Sequence, residues 1–141
     1  SPRSMRGVMH RFVSLLVVMA AMSVLATACS SGDSSDAAPE GLPADTVAQG
    51  LCQAAAMSGT DAAGAEESFA RVHSDLHVVA RALQQVDRKA AAAVLVAKQK
   101  VEDDFRRRAP ASELTPDLNG LLAATQNGFV RLEVTVAPCD R

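Results

Sequence analysis

The chain has 141 residues, 48% hydrophobic but only 3% aromatic, with 14 basic against 16 acidic side chains. It contains no Trp and no Tyr, which leaves almost nothing on which a nucleobase or a sugar ring could stack. With a formal net charge of −2 it lacks the basic footprint of a nucleic-acid-binding protein, and no nucleic-acid partner is expected.

The first element reads as a targeting segment. Arg6, His10 and Arg11 form a basic start, and residues 12–28, FVSLLVVMAAMSVLATA, carry no charge. Such a run is marginal for crossing a bilayer, which takes about 20 apolar residues, and it suits the apolar region and cleavage site of a signal peptide. The biological start is expected at Met5 or Met9, with residues 1–4 non-native. Residues 25–29, LATAC, then resemble the lipobox of bacterial lipoproteins. Ala28 and Thr27 are the small residues before the cysteine, and Ala26 stands where leucine is commoner. The resemblance covers roughly the first 30 residues. It implies cleavage by signal peptidase II before Cys29 and a diacylglyceryl group on the Cys29 sulfur. Two acyl chains hold a protein on a membrane stably where one holds it marginally. The expected location is therefore the extracytoplasmic face of a cell membrane, with the lipid on Cys29 as the contact.

Residues 30–41, SSGDSSDAAPEG, are polar, turn-rich and without apolar periodicity, as a flexible tether should be. The expected organisation is a signal peptide over 1–28, the lipidated cysteine and tether over 29–42, and one domain over 43–141. Removing the first 28 residues takes three arginines and no acid, so 11 basic residues face 16 acidic ones and the formal charge becomes −5. Lipidation of Cys29 leaves Cys52 and Cys139 as an even pair. In an oxidising compartment they are expected to form a disulfide. No CxxC spacing is present to suggest zinc or redox chemistry.

The domain reads as all-α, rich in Ala, Leu, Val, Gln, Glu and Arg. A first helix spans about 43–57, with Pro43 in its first turn and Ser58-Gly59-Thr60 as its stop. From Ala65 to Ala109 there is neither Gly nor Pro. Phe69, Val72, Leu76, Val79, Leu83, Val86, Ala90, Val94, Ala97, Val101 and Phe105 recur at steps averaging 3.6 residues, the period of one straight amphipathic helix. A single long central helix over about 62–108 is therefore expected. The only place for a turn is 87–89, DRK, with Asp87 as N-cap. Glu102/Arg106, Asp103/Arg107 and Asp104/Arg108 are acid-first i,i+4 pairs. The run Arg106-Arg107-Arg108 suits the negative end of a helix, and more sharply an anionic lipid. Pro110 ends the helix, and Thr115-Pro116 opens a last one over about 116–133 with Leu118, Leu122, Thr125, Phe129 and Leu132 facing the core. Gly120 and Gly128 allow close approach to a neighbour. Residues 134–139, VTVAPC, carry Cys139 back toward Cys52. The expected fold is a small bundle, one long helix flanked by two shorter ones and stapled by one disulfide. A four-helix up-down bundle is the alternative.

One pair of side chains suggests chemistry. His73 and His77 are i,i+4 and share a helix face, a spacing that can chelate a transition metal. An HExxH site would need Glu at position 74, where Ser74 stands, so its general base is missing. Asp75 projects from another side and Glu66 lies two turns away, so a third ligand has to come from another helix. There is no phosphate-binding loop and no nucleophile elbow. Lys98 and Lys100 read as surface residues with their stems along the apolar face. The sequence therefore favours a non-enzymatic binding or interaction module with an envelope protein as partner and no cofactor. A metal- or small-ligand-binding lipoprotein using His73 and His77 is the alternative.

Overall fold

The computed structural model describes residues 41–140, and everything below concerns those residues. The signal segment, Cys29 and all but the last residues of the tether lie outside them. The domain is all-helical, as its composition implies, with four helices: α1 over Ala44–Met57, α2 over Ala62–Val86, α3 over Arg88–Arg107 and α4 over Ala111–Arg131.

The long helix expected over 62–108 is divided at Asp87. Asp87 is extended, with φ −149° and ψ 92°. Its carboxylate accepts from the backbone N–H groups of Lys89 and Ala90, both at 3.0 Å. An N-cap supplies acceptors to helix N–H groups that have no partner in the preceding turn, so a new helix starts at that point. The apolar period runs through the break undisturbed. The two halves fold back on each other, and each keeps the stripe that a single helix would have shown.

The chain then runs up, down, up and down. Phe69 meets Phe105 across α2 and α3, with ring centroids 5.6 Å apart. Lys100 bonds Asp117 across α3 and α4 at 2.8 Å. Ser58 donates to Thr115 between the end of α1 and the start of α4 at 2.8 Å. Each helix packs on its two neighbours in the ring, and α2 also touches α4 across the diagonal. This is the four-helix arrangement.

Val47, Leu51, Val72, Leu76, Val79, Leu83, Val94, Val101, Leu118, Leu121 and Phe129 fill the core. Two glycines set how closely helices approach. A Cβ on Gly50 would lie 2.3 Å from Val72 Cγ1, and one on Gly128 would lie 2.8 Å from Leu83 Cδ1. Nothing lies within 4 Å of the corresponding point at Gly120, so the close approach expected there is absent.

α4 begins at Ala111, a turn earlier than Thr115-Pro116 suggested, with Pro110 before it and Pro116 inside it. Pro116 lacks the N–H that would reach the Ser112 carbonyl, and Ser112 is exposed. Thr115, expected as a cap, instead accepts the Ser58 hydroxyl.

After α4 the chain turns at Glu133, whose φ is 57°. Val134 and Val136 pack against the core. Cys139 then forms a disulfide with Cys52, 87 residues away in sequence and with Cα atoms 5.4 Å apart. The bridge ties the tail onto α1.

Candidate functional site

α2 presents His73 and His77 on one face, as their spacing requires. Their ring centroids are 5.4 Å apart, edge to face, and Phe69 stacks against His73 one turn earlier at 5.8 Å. Because α3 folds back antiparallel to α2, it brings Glu102 to the same level. Glu102 Oε1 lies 2.5 Å from His73 Nε2 and accepts from Lys98 Nζ at 2.7 Å. Lys98, one turn before Glu102 on α3, is only 5% exposed. Contrary to the surface position expected from sequence, its side chain is buried and its ammonium bonds the Glu102 carboxylate.

The group is thus a carboxylate shared by a histidine and a buried lysine, with His77 exposed beside it. Partial burial of Glu102 works against its charge. The hydrogen bonds from Lys98 and His73, together with their charges, outweigh that cost and hold the carboxyl below its ordinary value. Neither Asp75 nor Glu66 bonds either histidine. Among the described residues no set of three His, Cys, Asp or Glu side chains is arranged to hold a metal ion. No Ser, Thr or Cys side chain among the described residues hydrogen-bonds either histidine.

A second ionic group joins α3 to α4. The hydrogen bond from Lys100 is the main reason that the Asp117 carboxyl is held low and the Lys100 ammonium high. Arg107 bonds Glu113, and it bonds Asp104 at 2.6 Å. These bonds, that to Glu113 first, raise its already high affinity for its proton. Asp104 is buried, and its Oδ2 has no hydrogen-bond partner. Arg106 bonds Asp103 at 2.6 Å. The acid-first i,i+4 pairs expected along this stretch are therefore replaced. Asp103 and Asp104 take arginines three residues on, and Glu102 turns to Lys98 and His73.

Open clefts lie elsewhere, among them one of about 390 Å³ beside Gln84, Gln85 and Arg88 and two more. One, of about 380 Å³, borders the disulfide beside Gln49, Gln53 and Pro138. The other, of about 590 Å³, lies at the Arg108 end beside Glu66, Asp104 and Phe105. No described helix is long and apolar enough to cross a membrane. Comparison with protein-family models, curated proteins and solved structures finds no match.

Proposed function

We propose that the chain is a lipid-anchored, extracytoplasmic helical domain of a bacterium, and that it works as a non-enzymatic binding or interaction module in the cell envelope. The observation that carries this reading is the Cys52–Cys139 bridge. Disulfides persist in oxidising compartments, which favours an extracytoplasmic site. The bridge also uses two of the three cysteines, and the odd one is Cys29, the residue that follows LATA. The His73–Glu102–Lys98 cluster supports a structural role for the histidine, because each group is already satisfied by another.

Labelling with a radioactive fatty acid in a bacterial host, on the full chain and on Cys29→Ser, tests the anchor. The reading expects label on the first and none on the second, with the variant released from the membrane fraction. Label that persists on Cys29→Ser would refute it. Transition-metal binding at His73 and His77 is the second reading, favoured by the closeness of the two rings. Native mass spectrometry would reveal it as a stoichiometric zinc or copper adduct lost in His73→Ala.

A further inference from the structure

The two ends of the bundle differ in a way that bears on its orientation. One end holds the α2–α3 break and the end of α4, tied by Arg131 and Asp87 at 3.5 Å. Val86 and Val130, the residues immediately before that pair, are 62% and 71% exposed. Val86 belongs to the apolar stripe read in the sequence, yet it lies past the last packed turn and faces outward. Next to it Arg88 and Lys89 are exposed, with no carboxylate partner among the described residues. Arg131 is more than half exposed and only loosely held. The acids nearby are Asp87, already paired, together with Glu133 and, at the start of α1, Asp45.

At the opposite end most of the arginine run is spent internally, Arg106 on Asp103, and Arg107 on Asp104 and Glu113, and Arg108 alone is exposed with no carboxylate partner among the described residues. Asp61, Glu66 and Glu67 add negative charge there.

The chain reaches the bundle in the half that ends at Asp87. Gly50 faces Val72 and Gln53 bonds Arg71, so α1 runs antiparallel to α2 and begins about two turns short of Asp87. Cys29 stands 12 positions before Gly41, and on the tether reading a coil of that length has a root-mean-square span of roughly 20 Å. α2 alone, with 25 residues, is about 37 Å long. A typical tether span below the length of the bundle favours the near end as the one beside the anchor.

We infer that the Asp87 end rests on the anionic surface of the membrane, with Val86 and Val130 at the headgroup level and Arg88, Lys89 and Arg131 facing lipid phosphates. This rests on the lipid-anchor reading. Each contact is weak alone, but the tether holds the end at high effective concentration against the surface.

The absence of Trp gives a clean test. Lipidated full-length Val130→Trp and Val86→Trp are reconstituted on vesicles of about half phosphatidylglycerol and half phosphatidylcholine carrying brominated chains. Val96→Trp, on the exposed middle of α3, is the control. Tryptophan at 130 and at 86 should be quenched at least twofold more than at 96. Arg88→Glu with Lys89→Glu, or pure phosphatidylcholine, should abolish the difference. Equal quenching at all three positions on vesicles that float with bound protein would overturn the inference and leave the anchor intact. Dependence of the quenching on protein density, with a cross-linked dimer, would assign this end to a second copy. Failure to float would sink the anchor reading, and this inference with it.

Discussion

His73 Nε2 and Glu102 Oε1 meet at 2.5 Å, although 29 residues separate them in sequence. The contact pins α2 to α3 at one level, and the same carboxylate oxygen receives the buried Lys98 ammonium. Removing Glu102 would strand that ammonium in the bundle wall. Glu102→Ala should lower stability by about 1–3 kcal/mol. Adding Lys98→Met to it should restore most of the loss. Urea unfolding of the three proteins checks this, and additive losses would show that the pair does not act as a unit.

The pH dependence follows from the lowered Glu102 and Asp117 carboxyls. As pH falls, the unfolded chain takes up these two protons before the folded one does. Their contribution to stability is complete above the ordinary carboxylate range and disappears as pH drops through the lower folded values. Melting temperatures between about pH 7 and pH 3 should fall less for Glu102→Gln with Asp117→Asn than for the parent. Parallel curves would contradict the assignment.

The glycines separate propensity from packing. Gly120→Ala meets open space and should stabilise the fold by about 0.5–1 kcal/mol, the ordinary helix preference. Gly50→Ala gains the same preference but drives a methyl into Val72, so it should destabilise by about 1–3 kcal/mol. Val72→Ala should then relieve much of the strain. Thermal unfolding measures all three.

The disulfide closes a loop of 87 residues, and the chain-entropy estimate for such a loop is about 4–5 kcal/mol. Reduction, or Cys52→Ser with Cys139→Ser, should lower the denaturant midpoint while leaving helix content at low denaturant nearly unchanged. An unchanged midpoint would mean that the tail adds no constraint to the unfolded chain.

Asp87 carries the α2–α3 break through its two cap bonds. Asp87→Ala removes both and should cost about 1 kcal/mol, with exchange of the Lys89 and Ala90 amides accelerated beyond the global effect. Uniform acceleration would argue against a local cap.

Helix content, the stripes and the cysteine pairing were legible because each rests on a local period or on a count. The break at Asp87 was harder, since an apolar stripe of period 3.6 looks the same whether the helix continues or folds back. Only the short DRK stretch and the capping ability of Asp87 pointed to it. The site suffered from the same ambiguity. On one straight helix Glu102 lies eight turns from His73, but folding at Asp87 places residues equidistant from the turn side by side. Position 73 then falls beside position 102, and Lys98 turns from a surface residue into a buried partner. The start of α4 is not legible locally, because Thr115-Pro116 carries a strong start signal and nothing nearby shows that Thr115 accepts the hydroxyl of Ser58, the residue that caps the end of α1.

The Cys52–Cys139 bridge also decides how the domain bears tension. A pull between the segment preceding α1 and the residues after Cys139 passes from α1 into the tail through the sulfur–sulfur bond. α2, α3 and α4 hang from that path as a closed loop and are not stretched. Only the turns of α1 before Cys52 can be unwound by such a force, so the domain would lengthen by a few nanometres at most before covalent bonds take the load.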